Sequence, residues 1–146
     1  MIYLLILWAF AGVAPGLEVH QSHSDLIKNR GDKVQVFCSH DKTDYRMMFW
    51  YQSQPGNTSL KLIGYLNYGT ATMEDLFKES FSFGGDLGGN AAKNGSLQIQ
   101  QTERKHSAVY YCAASKGTNY EPAYFGGGTR LTVLDPNITI KHPNVT

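Results

Sequence analysis

Ser107-Ala108-Val109-Tyr110-Tyr111-Cys112, then twelve irregular residues, then Phe125-Gly126-Gly127-Gly128-Thr129 form the stretch around which the chain is organised. In its first part Ala108, Tyr110 and Cys112 fall on one side and Val109 and Tyr111 on the other. That is the period of two of a strand. Its last part opens a second strand, Arg130 to Leu134, through three consecutive glycines. Glycine weakens a strand interior, so the run predicts a bulge or a close backbone approach. Between them, Ala113 to Tyr124 shows no period of two or of 3.6 and reads as a loop. A loop held between two well-specified strands can vary without disturbing a core, which suits a recognition surface.

Outward from this stretch, Cys38 is the other cysteine of the chain, Trp50 follows it, and Tyr110 stands two residues before Cys112. Two cysteines far apart behind a secretory leader favour a disulfide formed in an oxidising compartment, with two buried thiols as the alternative. Residues 1 to 16 supply that leader. Their apolar run is too short to span a bilayer and ends in small residues, as a signal peptide does, although it lacks early basic residues. No later stretch is long and apolar enough for a membrane helix. A length of 146 residues and a net charge of +1 predict one domain with no electrostatic footprint for nucleic acid.

Further strands follow from local pattern. Leu17 to Arg30 predicts an edge strand, ended by the turn at Gly31-Asp32. Val34, Val36 and Cys38 alternate with Gln35 and Phe37. Ser39 to Arg46 is polar and reads as a loop. Met47 to Ser53 is a strand with Met48, Trp50 and Gln52 inward and Phe49, Tyr51 and Ser53 outward. A turn at Pro55-Gly56-Asn57 precedes the strand Leu60 to Leu66, and Asn67-Tyr68-Gly69-Thr70 is a second exposed loop. Phe81 and Phe83 mark a short strand ended by glycines. Leu97, Ile99 and Gln101 mark another, and a helical turn is expected around Glu103 to Ser107. Short strands with turn signals every ten residues or so predict an all-β sandwich.

Catalytic patterns are missing from the sequence. The histidines are scattered without metal-ligand spacing, Gly84 to Gly89 lacks the Gly-Lys-Ser/Thr of a phosphate loop, and no serine sits in Gly-x-Ser-x-Gly. Neither a cofactor nor an enzymatic activity is expected. Asn57, Asn94, Asn137 and Asn144 satisfy the Asn-x-Ser/Thr rule for glycosylation.

Cys38, Trp50-Tyr51, Leu60-Lys61-Leu62-Ile63, Ser107 to Cys112 and Phe125-Gly-Gly-Gly-Thr129 together resemble an antigen-receptor variable domain, most closely that of a T-cell receptor beta chain. The resemblance covers residues 17 to 134, with a joining segment from about 119. It implies a V-type immunoglobulin Greek-key sandwich of two antiparallel sheets, an inter-sheet disulfide Cys38–Cys112, Trp50 packed on it, and a tyrosine corner at Tyr110. Residues 135–146 resemble the start of a constant domain, as in a fragment of a longer chain.

In that family three loops gather at one end of the sandwich as the combining site. The resemblance places them at 41–46, 67–71 and 113–124, with a fourth, less engaged loop at 85–91. Lys42, Asp44, Tyr45, Arg46, Asn67, Tyr68, Thr70, Lys116, Thr118, Asn119, Tyr120 and Glu121 are the implied antigen-binding residues. Tyr51, Ser53, Leu60, Tyr111 and Phe125 are the implied face toward a partner chain. Two departures from the family pattern stand out. Ser53 replaces a glutamine that bonds across the pair, and His106 and Ser80 replace an Asp–Arg pair at the tyrosine corner. The implied partners are a T-cell receptor alpha chain, a peptide–MHC ligand and invariant signalling subunits, on an extracellular domain routed to the plasma membrane. An immunoglobulin light chain and a non-rearranging cell-surface or adhesion domain are the competing readings. The Leu60-Lys-Leu-Ile-Gly-Tyr, Asn119-Tyr-Glu-Pro-Ala-Tyr and Asp135-Pro-Asn segments favour the beta chain over the light chain.

Overall fold

The computed structural model describes residues 17–117 and 123–134; residues 1–16, 118–122 and 135–146 lie outside them. Alternating burial determines the two layers. One sheet runs β1 (His20–Gln21), β3 (Val34–His40), β8 (Lys93–Ile99), β7 (Phe81–Gly85) in spatial order. The other runs β2 (Asp25–Asn29), β11 (Thr129–Leu134), β9 (Ala108–Ser115), β4 (Met47–Ser53), β5 (Lys61–Asn67), β6 (Thr70–Met73), with β10 (Tyr124–Phe125) paired to β9. All pairings are antiparallel except β2 with β11, which is parallel.

The core lies between the sheets, because each strand turns its apolar parity inward. Val34, Val36 and Cys38 come from β3, Met48 and Trp50 from β4, and Ala108, Tyr110 and Cys112 from β9. Cys38 and Cys112 form the disulfide across the layers, with Cα atoms 6.5 Å apart. Trp50 stands opposite Cys112 in the β4–β9 register and is fully buried. The Tyr110 hydroxyl donates to the His106 carbonyl at 2.6 Å and accepts from Gln52 Nε2 at 3.2 Å. A buried phenol needs such partners. Burial pushes the Tyr110 hydroxyl far above its usual titration range.

Several boundaries differ from the sequence reading. The amino-terminal segment is two strands in different sheets, β1 beside β3 and β2 beside β11, rather than one edge strand. Asn67 and Thr70 belong to paired strands, so the second loop is only Tyr68-Gly69. β6 has no counterpart in the sequence pattern. Its Thr70-Ala71-Thr72-Met73 sequence carries no apolar alternation, and the strand lies at the sheet edge with three of its four residues exposed. β3 continues to His40 and β9 to Ser115, which shortens the first and third loops. β8 starts at Lys93 and ends at Ile99, so Gln101 falls outside it. The expected helical turn is a 3₁₀ turn over Arg104–His106.

At the tyrosine corner His106 fills space rather than carrying a charge. Its ring packs edge-on to Phe81 at 5.3 Å between centroids, and its Nδ1 accepts the Glu103 N–H at 2.8 Å. An imidazole and Ser80 thus stand where the family pattern has an ion pair, as the sequence indicates. No charge is left buried without a partner there, which would have been costly.

Candidate recognition and pairing surfaces

The first loop lies between β3 and β4, the second between β5 and β6, and the Asp86–Ala92 loop between β7 and β8. Side chains tie them together at one end of the sandwich. Arg46 Nε donates to the Gly88 carbonyl at 3.3 Å, and its guanidinium lies 5.7 Å from the Tyr68 ring centroid. The Tyr68 N–H donates to Arg46 O at 2.9 Å, and Leu87 N–H donates to Tyr68 O at 3.0 Å. Tyr68 itself holds a positive φ of 58°, sparsely populated for a non-glycine residue. Its ring is fixed outward by this hairpin.

The stem of the third loop joins the same end. Lys116 Nζ meets Asp44 Oδ2 at 3.3 Å and sits 5.5 Å from the Tyr45 ring centroid. Tyr45 is edge-on to Tyr124 at 5.8 Å and to His40 at 6.2 Å. With 8% exposure Tyr45 is a wedge between loops, which corrects its expected place as an exposed contact tyrosine. Lys42, Asp44, Asn67, Tyr68, Thr70 and Lys116 remain accessible in whole or part, whereas Thr118, Asn119, Tyr120 and Glu121 lie outside the described residues. Lys93, unnoticed in the sequence, is buried below this end, where its ammonium donates to the Gly89 carbonyl.

The outward face of the larger sheet is aromatic. Tyr51 stands directly opposite Tyr111, and its ring lies 5.6 Å from that of Phe125. Leu60 and Phe125 are 46% and 48% exposed beside them. Ser53 follows on the same parity, opposite Val109. The Phe49–Tyr65 ring pair at 5.2 Å extends the patch, and its cross-strand partnership could not be read from β4 alone. Large contiguous apolar patches of this kind are uncommon on monomeric proteins.

Gln21 explains the glycine run. Its Oε1 accepts the N–H groups of Gly128 at 3.0 Å and Cys112 at 3.3 Å, while its Nε2 donates to Tyr110 O at 2.9 Å. A Cβ at Gly126 would lie 2.5 Å from Gln21 Oε1, and one at Gly128 would lie 2.7 Å from the Tyr111 ring. A Cβ at Gly127 would meet nothing. The need is therefore for Phe-Gly-x-Gly, and the buttress from Gln21 comes from more than a hundred residues upstream, where local pattern carries no signal.

His40 and His106 are both buried, and burial holds both imidazoles below their ordinary value of 6.5. Nearby Asp41, Asp44 and Glu103 oppose that shift without reversing it. The unfolded chain therefore binds protons that the folded chain refuses. Stability is full above about pH 6.5 and falls as the pH drops through that value toward the folded ones. We expect the urea midpoint to fall between about pH 7.5 and pH 5.5. The variant His40→Gln/His106→Gln should flatten that slope; an unchanged slope would assign the pH dependence to other groups.

Among the described residues no group of three or more His, Cys, Asp or Glu is placed to hold a metal ion. No helix among them is long and apolar enough to cross a membrane. Asn57 lies in an exposed turn with its Oδ1 accepting the Ser59 N–H at 3.0 Å, and Asn94 is exposed on β8. Asn137 and Asn144 lie outside the described residues.

Known proteins place this geometry in a family. The immunoglobulin V-set domain profile matches residues 21–134. Human T cell receptor beta variable 16 is 33% identical over 115 residues, 77% of this chain and 94% of the relative. The mouse T-cell receptor beta chain V region LB2 is 32% identical over 117 residues, 80% of this chain and 82% of the relative. A solved chain is 30% identical with a TM-score of 0.70, over 82% of this chain and all of that one. It comes from work on the structural basis of T cell specificity and activation by the bacterial superantigen toxic shock syndrome toxin-1. Both relatives are receptor domains rather than enzymes. Aromatic sheet face, loop cluster, buttressed Phe-Gly-x-Gly and matched relatives agree: the chain belongs to the immunoglobulin V-set family, among the variable domains of T-cell receptor beta chains.

Proposed function

We propose that this domain pairs with a T-cell receptor alpha chain and recognises peptide held by an MHC molecule, as the antigen-binding part of a cell-surface receptor. The observation that carries the reading is the coexistence of two separate surfaces. One is the Tyr51–Tyr111–Phe125–Leu60 face, apolar and open, which suits a flat partner domain. The other is the loop end, where Tyr68, Lys42, Asp44, Asn67, Thr70 and Lys116 offer aromatic area and mixed charge. Tyrosine gives large contact area at small entropy cost. Asn119 and Tyr120, outside the described residues, complete that surface in this reading. Signalling then falls to invariant membrane subunits that associate with other parts of the receptor.

Ser53 is too short to bond across the pair as a glutamine would, so pairing rests on the hydrophobic seam. Replacing Phe125 with Glu should weaken association with an alpha variable domain by at least about tenfold, because a charge would be buried in the seam. The unfolding midpoint should hardly move. Sedimentation of the mixed chains reads the first and urea titration the second. Preference for an immunoglobulin heavy-chain variable domain over every alpha domain tried would overturn the reading in favour of a light chain.

A further inference from the structure

The outward face of the β1-β3-β8-β7 sheet is polar apart from one large side chain. Gln35 and Ser39 on β3, Ser96 and Gln98 on β8, and Ser82 on β7 share that face by register and parity. Phe37 breaks the pattern, 49% exposed. It stands opposite Ser96, while Ser39 stands opposite Asn94. Phe37 and Asn94 are therefore diagonal cross-strand neighbours, about 7–8 Å apart at the backbone and within reach of long side chains. Asn94-Gly95-Ser96 is also a glycosylation sequon.

We propose that Asn94 carries an N-linked glycan whose first N-acetylglucosamine lies on the ring of Phe37. The covalent step is the ordinary one of the secretory pathway. The Asn94 side-chain nitrogen displaces a lipid-linked pyrophosphate at the sugar anomeric carbon, losing one proton as the C–N bond forms. It takes place on the extended chain, so the later burial of Ser96 does not block it. In the folded domain the sugar has an apolar C–H face that complements the electron-rich face of an aromatic ring. Small neighbours leave room for it. Ser39 flanks Asn94 on one strand, and Gly84 stands across from Ser96 on the other. Asn57 offers no comparable platform, since its side chain already closes a turn onto Ser59.

The placement is compatible with both proposed surfaces. This sheet lies on the far side of the core from Tyr51, Tyr111 and Phe125, so the glycan covers an apolar residue without obstructing pairing. The inference rests on the secretory part of the functional reading and on no ligand.

The test is the full chain secreted from mammalian cells, with glycan sites mapped by enzymatic release in heavy-oxygen water and peptide mass spectrometry. Asn94 should be occupied. Asn94→Gln should lower the thermal midpoint by a few degrees in the parent chain. The same change in a Phe37→Ser background should lower it by less than half as much. Occupied Asn57 with bare Asn94 overturns the proposal alone. Occupied Asn94 with equal shifts in both backgrounds overturns the platform role of Phe37. A chain bare at every sequon overturns the proposal together with the secretory reading.

Discussion

Trp50→Ala is expected to cost about 3–5 kcal/mol, the range for deleting a large aromatic from a packed core. That is a large share of the stability of an ordinary domain. The indole is fully buried in the same cluster as both cysteines and as Met48, Ile63 and Leu97. Two strand layers cannot collapse into the vacated space without breaking the β4–β9 register. Trp50→Phe separates volume from polarity. The Trp50 Nε1 has no hydrogen-bond partner among the described residues, so phenylalanine removes an unsatisfied donor along with part of the volume. It should cost clearly less than alanine. Urea unfolding followed by far-ultraviolet circular dichroism reads both variants. A loss under about 1 kcal/mol for Trp50→Ala would mean that the core repacks freely.

Removing the disulfide comes second. Cys38 and Cys112 close a loop with a sequence separation of 74, which on the chain-entropy account stabilises the fold by about 4 kcal/mol. Cys38→Ala/Cys112→Ala should therefore unfold at much lower denaturant, and its secreted yield should fall steeply. Trp50 shares the site, so a triple variant should lose less than the two separate costs combined. An oxidised and a reduced chain with the same urea midpoint would sink the disulfide's assigned role.

The sandwich was legible in the sequence because its central strands bury one face each. Val34, Val36 and Cys38, then Met48 and Trp50, then Ala108, Tyr110 and Cys112 announce their inward sides by parity. Where a strand buries neither face, nothing announces it, and Thr70-Ala71-Thr72-Met73 carries no pattern that marks β6. Tyr45 misled for a related reason. A tyrosine among polar loop residues gives no sign that Lys116 and Tyr124, some seventy residues or more away, will close over it. The pairing face could be listed from parity plus resemblance, but the ring contact between Phe49 and Tyr65 depends on cross-strand register. Gln21 is the clearest case of long-range chemistry, since its side chain makes hydrogen bonds to Tyr110, Cys112, Gly128 and Thr129, all far along the chain, and so braces the glycine run from both sides of the loop.

The parallel pairing of β2 with β11 bears on how the chain reaches its fold. β11 hydrogen-bonds β2 on one side and β9 on the other, so two strands wait for the last one made. Contacts of such sequence separation form slowly and late. During synthesis the larger sheet exposes two open edges until the joining-like segment has left the ribosome. Open edges invite pairing with other chains. A chain ending before Thr129 would keep those edges open for good, and would be the most prone to pair with its neighbours. The strand that completes the sheet thus also decides whether its edges are closed to other chains.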